Sequence, residues 1–594
     1  MKYAISLILF LLVVVVTGQT IATPQAEQSA VPTLTPPTPV HEQQPPAEAE
    51  LPDVSAVARI AEEGVVRVGI LYNEPPFSEL NIRGFVSGFD ADIANSIANT
   101  WEVDTQFVQV MRDPQRTAAM LRDGEIDMVI AAQVRHREID RYIEYSHTYY
   151  IAKKGVMLLA DDPAESLADL ADRRLGVVAA TPAQASLETW LARSGVPVEI
   201  VTYPTLDRAY RALIAGDVGG VVDSEHRLQR VAGPNIDGIQ ILSEPIEIES
   251  YAIGFLPQDA AMRDLINRTL HHLTMTGRMD EIVQVHFPGD RYDVIRAWNN
   301  LPEDPPVPAD YPSALNYPSE YVLPRVQRGE VIRVAGMFDV PVDPQLPQSE
   351  QRLNSLHQMI MDDMVSRWGA QVEYINVTGE DALNMVANGE ADIAFGVEPD
   401  WEWADRVDFT SRYLKHGERL MVRVDGGVVG FTSLRGRNVI VPNNEPGITA
   451  RLNAIADDVN VNLLASPERE QDLAFALLTD EDLNAAAVFA NSLRLISHVR
   501  DNANLTMTNF PETTTSRWYG PSNLHGEDYS PRMMVMAVPQ NDLEFRLLVE
   551  YTLQEIAREG VLTEWLLSLS LLQDIPQFEI WPGTGTHLGF NLSR

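Results

Sequence analysis

Two kinds of side chain in this sequence could do chemistry at a binding site, and both sit in short polar loops. Arg135, Arg137 and Arg141 crowd one loop. A guanidinium is a rigid planar fork that matches a carboxylate through two parallel hydrogen bonds. Trp401 and Trp403 share the loop Val397-Glu398-Pro399-Asp400-Trp401-Glu402-Trp403-Ala404. Their indole faces could stack a ring or a cation, or instead plug a cleft or join two domains. Enzyme chemistry finds little support. The chain has no cysteine, which removes disulfides, thiolate nucleophiles, zinc–thiolate sites and iron–sulfur clusters. It carries no nucleophile-elbow serine, His-Glu-x-x-His helix or phosphate loop. His271, His272 and His286 are too loosely placed to suggest metal ligands. No catalytic residue, metal or cofactor is expected.

The elements around these loops recur. Gly124-Glu125-Ile126-Asp127-Met128-Val129-Ile130-Ala131 reads as a helix end and a buried strand, and runs on through Asp140-Arg141-Tyr142-Ile143-Glu144-Tyr145-Ser146 to Tyr149-Tyr150. Gly389-Glu390-Ala391-Asp392-Ile393-Ala394-Phe395-Gly396, followed by Asp405-Arg406-Val407-Asp408-Phe409-Thr410 and Tyr413, repeats it. The offset is 392 − 127 = 265 residues, so the chain uses one domain twice and is not a solenoid of small units. Its 594 residues fit two or three domains, and 45% apolar content allows a core in each. A formal charge of −39 argues against nucleic-acid or anionic-membrane partners.

Lys2, the apolar run Ala4 to Val16 and the small residues up to Ala22 describe an export signal over 1–22. The run is short for a membrane span of ~20 residues, and an uncleaved membrane anchor is the alternative. Residues 23–58 read as a Pro-rich disordered linker. The first domain is expected over 59–296, a Pro/Asp/Tyr/Asn-rich linker over 297–321, a degenerate second domain over 322–575, and a tail over 576–594. The bulk of the protein is expected outside the cytoplasm, whether secreted, periplasmic or at the cell surface.

Within the first repeat, Val65-Val66-Arg67-Val68-Gly69-Ile70 is a buried strand. Gly88-Phe89-Asp90-Ala91-Asp92 opens a helix that Asp90 is placed to cap. Thr105 to Val110 is a strand, Thr117 to Arg122 a helix, and Ile126 to Ala131 a third strand. This alternation predicts an α/β fold with parallel strands. Arg67-Val68-Gly69, Pro75-Pro76-Phe77, Gly88-Phe89-Asp90-Ala91-Asp92, Gly124-Glu125-Ile126-Asp127 and Tyr145-Ser146…Tyr149-Tyr150 together resemble the family 3 extracellular solute-binding proteins, the polar amino-acid receptors of ABC importers. The resemblance runs from about Gly64 to Gly289. It implies tandem periplasmic-binding-protein type II domains, each of two α/β lobes joined by two crossovers. The ligand sits between the lobes, which close by a hinge motion, and helix N-termini face it.

The resemblance also implies a ligand grip: an arginine after the third strand for an α-carboxylate, hydroxyls just before it, an acid in the second lobe for the α-ammonium, and aromatic clamps. Counted from Asp127, the arginine position falls on Ile139 and the hydroxyl positions on Val134 and His136. The aromatic position falls on Glu74, its partner near Pro114, and the acid on Ser224, between Asp223 and Glu225. The second lobe's Gly-Thr-Thr turn becomes Ala180-Thr181-Pro182. The expected ligand residues of the first repeat are therefore Tyr72, Glu74, Phe77, Gln133, Arg135, Arg137, Thr181 and Asp223. A loop shift would bring Arg137 into the cleft; the alternative is a solvated arginine loop. The second repeat is eroded, with Asp339-Val340-Pro341 where Pro-Pro-Phe stood, and its candidates are Phe338, Asp339, Glu398, Trp401, Trp403 and Asn443. The expected function is capture of a small polar, amino-acid-like or carboxylate solute by a monomer, for an ABC importer whose permease is its partner. The alternative is an envelope sensory or scaffold protein whose binding-protein domains contact a partner protein.

Overall fold

A computed structural model describes residues 53–288, 292, 294, 298–339, 346–442, 447–455, 460–465, 470–479, 483–508, 531–571 and 578–582. In the first repeat, β1 (Val65–Ile70) lies between β2 (Asp104–Gln109) and β3 (Met128–Val129), all parallel, with Val68 level with Phe107 and Met128. β-branched residues buried on both faces suit such a central position. β4 (Glu144–Leu159), 16 residues long, then crosses from one lobe to the other. In the second lobe come β5 (Arg174–Val178), β6 (Glu199–Tyr203) and β7 (Gly220–Ser224), and β8 (Glu247–Phe255) returns antiparallel to β4. The sheet order is β2-β1-β3-β8-β4-β7-β5-β6, so two crossover strands join two lobes. Each lobe has its own core, one around Phe89, Ile93, Phe255 and Leu265, the other around Leu175, Leu187, Trp190 and Val222.

The second repeat builds the same plan with a broken crossover. Where β4 is continuous, its counterpart is Leu414–His416 and Glu418–Arg423 separated by Gly417, and the sheet divides in two. The duplication persists down to single hydrogen bonds. Asp127 accepts the Arg67 N–H at 2.7 Å, and Asp392 accepts the Arg333 N–H at 2.8 Å. Trp101 Nε1 donates to Thr269 Oγ1 at 2.7 Å, and Trp368 Nε1 to Thr552 Oγ1 at 2.8 Å. Buried polar groups must be matched, so these fasteners persist where ligand residues drift. Asp90 does not cap its helix: Gly88 occupies the N-cap, and the buried Asp90 carboxylate accepts from Ala132 N–H and Tyr149 O–H.

The repeats meet through matching surfaces. Glu144 and Asp408 hold equivalent positions at the start of each crossover, and Arg263 and Arg546 hold equivalent positions on the helices Ala260–Met275 and Leu543–Arg558. Arg546 reaches Glu144 at 2.5 Å and Arg263 reaches Asp408 at 2.6 Å. His147 N–H donates to Asn267 Oδ1 at 2.8 Å, and at the same place in the copy Ser411 N–H donates to Glu550 Oε1 at 2.7 Å. This is the geometry of an isologous dimer held within one chain.

The flanking segments differ from their expected boundaries. A helix already begins at Ala56, inside the stretch read as spacer, because Ser55 and Asp259 satisfy its first N–H groups. The 297–321 linker is docked: Trp298 packs on Trp401 with ring centroids 4.7 Å apart, and Ser55 N–H donates to Ser313 O at 2.9 Å. Phe578 to Pro582 of the expected tail also pack against the second repeat, with Trp581 buried. Among the described residues no helix is long and apolar enough to cross a membrane.

Candidate functional site

The cleft of the first repeat gathers charge at the ends of its strands. β7 buries Val221 and Val222 and ends on Asp223, which is 2% exposed. Asp223 Oδ1 accepts the Ser224 N–H at 2.8 Å and lies 3.5 Å from Arg227 Nε, whereas Oδ2 has no hydrogen-bond partner. Burial pushes the Asp223 carboxyl up, Arg227 and Lys154 oppose that, and Glu74 of the other lobe adds to it. Glu74 and Asp223 thus lie on opposite lobes, near enough for the Glu74 charge to act on Asp223. Glu74 is held by Arg112 at 2.9 Å. Between the lobes, buried Lys154 on β4 pairs with Glu249 and, at 3.2 Å, with Glu247 on β8. The Arg112 charge also acts on Glu249, Tyr251 and His226. The lobes touch where Phe77 meets His226 with ring centroids 5.1 Å apart, and where Arg230 Nη1 donates to Pro75 O at 2.6 Å. Ser78 Oγ and His226 Nε2 are buried there without partners. Burial pulls His226 down to about 3, which keeps it neutral.

Of the expected ligand residues, Glu74 and Asp223 stand on opposite lobes, and the Glu74 charge acts on Asp223. Tyr72 is half-buried after β1. Gln133 Nε2 donates to Tyr145 Oη at 3.1 Å, and Thr181 Oγ1 to Val178 O at 2.7 Å. Phe77 is fully buried among Phe89, Tyr150 and Tyr251, as a wall of the core.

The arginine loop goes elsewhere, toward the second repeat, with Arg137 buried, Arg135 half-buried and Arg141 at its exposed edge. Arg137 is 0% exposed. It donates from Nη1 to Glu555 at 2.5 Å and from Nη2 to Gln554 at 2.8 Å, and lies over Tyr551 at 4.9 Å. Arg135 lies 3.5 Å over the Trp581 ring, and Arg141 pairs with Glu544 at 2.6 Å. The loop turns tightly at His136–Ile139 and is pinned by the Tyr551 O–H bond to Asp140, which aims its arginines at the second repeat.

The second cleft is filled by its own charges. Buried Glu418 takes Arg451 at 2.7 Å and Arg532 at 3.2 Å, and Arg532 also reaches Glu398 at 3.3 Å. Phe338 is core, packed on Tyr374 at 4.5 Å, and Asp339 accepts from Ser355 Oγ at 3.0 Å. Trp401 Nε1 donates to His271 Nδ1 at 3.3 Å across the repeat contact, and Trp403 is buried under Arg406 at 3.9 Å. The tryptophans thus join elements rather than wait for a ring. Asn443 lies outside the described residues. Sequence reasoning missed Arg112, Lys154 and Glu249; a lysine and a glutamate within otherwise apolar crossover strands was the available signal.

Residues 66–289 and 356–567 match the model of the bacterial extracellular solute-binding proteins, family 3. The L-arginine-binding protein of Pseudomonas aeruginosa is 26% identical over 252 residues, covering 40% of this chain and 94% of the relative. The glutamate-binding protein GluB of Corynebacterium efficiens is 26% identical over 255 residues, covering 39% and 84%. Among solved structures, a polar amino acid ABC uptake transporter substrate binding protein from Streptococcus thermophilus is 19% identical with a TM-score of 0.35, covering 40% of this chain and 90% of its own.

Proposed function

This chain belongs to the bacterial extracellular solute-binding proteins, family 3, in two tandem copies, and we propose that its first repeat captures a small, polar, amino-acid-like solute for an ABC importer. The observation that carries this reading is Asp223, a buried carboxylate at a strand end with one oxygen unpartnered. An ammonium there would supply the missing donor in a site where charge-assisted hydrogen bonds are strong. Arg112, with its side chain 58% exposed, is free to turn from Glu74 to a solute carboxylate and so replace the arginine absent at Ile139. The relatives' names, an L-arginine-binding and a glutamate-binding protein, support an amino-acid-like solute. No catalytic step is part of this reading. Residues 1–22 serve as the export signal, and the protein works outside the cytoplasm.

The test is calorimetric titration of the full chain with amino acids, amines and organic acids, repeated on Asp223→Asn. A responder whose affinity falls in the variant supports the reading, and silence across all three classes overturns it.

The alternative of a scaffold fits the second repeat alone. Its cleft is neutralised by Glu418, Arg451 and Arg532, and its helix Leu543–Arg558 receives the first repeat's arginines. In this reading the second copy is a built-in docking partner and captures nothing in its cleft.

A further inference from the structure

The two repeats together line a partly open cavity of about 180 Å³ that shares no charged residue with the solute cleft. Its walls come from matched positions: Ser146, His147 and Asn267 from the first copy, Thr410, Ser411 and Glu550 from the second. Arg263 and Arg546 also line it, but Asp408 and Glu144 already saturate them.

Three other lining groups are left unmatched. Arg135 lies flat on Trp581, has no ion-pair partner among the described residues, and its Nε is buried without an acceptor. Glu550, 5% exposed, uses Oε1 on the Ser411 N–H and leaves Oε2 without a donor. Gln554, 2% exposed, uses Oε1 on Arg137 and the Trp581 N–H and leaves Nε2 without an acceptor. Leaving a buried polar atom without a partner is costly, and native folds match the large majority of them.

The unmatched set defines its complement. Arg135 and Gln554 offer N–H donors and call for an acceptor that takes a fork, which is a carboxylate. Arg135 and Arg546 act on the Glu550 charge from a distance, but its Oε2 still lacks a hydrogen-bond donor, a place that a cationic N–H group would fill. That space is many times the roughly 10–15 Å³ one water needs, enough for one compact molecule bearing both groups. We propose that this interdomain cavity is a second ligand site that takes a small α-amino acid, its carboxylate on Arg135 and Gln554 Nε2 and its ammonium on Glu550 Oε2. The ligand bridges Arg135 of the first repeat and Glu550 of the second, and so clamps the two copies together. This assignment rests on the repeat contact and does not depend on the cleft reading.

L-Serine is the probe, titrated into the full chain and into the chain carrying Asp223→Asn, which weakens the cleft. One binding event is expected to survive. Glu550→Gln added to that background keeps the acceptor for Ser411 and removes the charge; Arg135→Lys keeps the charge and removes the fork. Each is expected to weaken L-serine by about tenfold or more, the equivalent of ~1.4 kcal/mol. The lysine variant carries the test if the glutamine variant fails to fold. Three results overturn the proposal: no L-serine heat at millimolar concentration in the Asp223→Asn chain, binding that neither added variant weakens, or crystals grown with L-serine that show only water in the cavity. The first leaves the cleft reading intact.

Discussion

Glu144 and Asp408 stand at the same position of the two repeats, and each takes its shorter ion pair from the other copy's arginine, Arg546 at 2.5 Å and Arg263 at 2.6 Å. Each arginine also lies near the acid of its own copy, at 3.5 Å for Arg263–Glu144 and 3.9 Å for Arg546–Asp408. All four side chains are buried. In such a site the attraction of opposite charges is offset by desolvation, so the quartet contributes less to net stability than to the choice of partner surface.

Removing one member exposes that balance. Arg546→Met is expected to destabilise the chain by about 3–5 kcal/mol, because Glu144 is left as a buried charge without its nearest cation. Adding Glu144→Gln should recover part of the loss. Urea unfolding of the two single variants and the double variant measures the coupling. A single-variant loss below ~1 kcal/mol would contradict the buried quartet.

In the cleft, Asp223→Asn is expected to weaken the cognate amino-acid-like solute by at least about tenfold. It should leave the melting temperature of the free protein unchanged or raised, since a buried carboxylate oxygen without a donor is removed. Arg112→Gln should weaken carboxylate-bearing solutes more than plain amines. Calorimetry with an amino acid and its decarboxylated amine separates the two roles, and equal losses on both would remove Arg112 from the carboxylate position.

Asp90 and His357 occupy equivalent positions and should give opposite pH responses. Burial pushes the Asp90 carboxyl up to about 7 from 3.8. Its contribution to stability is full below pH 3.8 and is lost as pH rises through 7. Burial pulls His357 down to about 4 from 6.5. Its contribution is present above pH 6.5 and is lost as pH falls toward 4. Relative to the parent, Asp90→Asn should gain stability from pH 4 to 7, and His357→Gln from pH 6.5 down to 4. Each slope is at most ~1.4 kcal/mol per pH unit. Denaturant unfolding across this range reads both, and parallel curves for parent and variant would refute the assigned titration.

Trp401→Ala tests whether that indole joins the repeats or waits for a ligand. It stacks on Trp298 and donates to His271, so truncation is expected to cost about 3 kcal/mol of stability and leave solute affinity unchanged. Loss of affinity at constant stability would return Trp401 to a binding role.

The sequence by itself determined the duplication, the strand and helix order and the acid at the end of β7. These follow from local periodicity, from turns and from fasteners such as Asp127 and Asp392, whose partners Arg67 and Arg333 belong to the same repeat. It also located the loop where the family's arginine is missing. Where the replacement arginines point was decided only by tertiary structure. Glu555, Gln554 and Trp581, which receive Arg137 and Arg135, lie more than 400 positions away. No local pattern encodes such a contact, because a buried guanidinium goes wherever folding leaves an unmatched acceptor and an aromatic face. The interdomain cavity has the same origin: it exists only once two copies of one domain have paired.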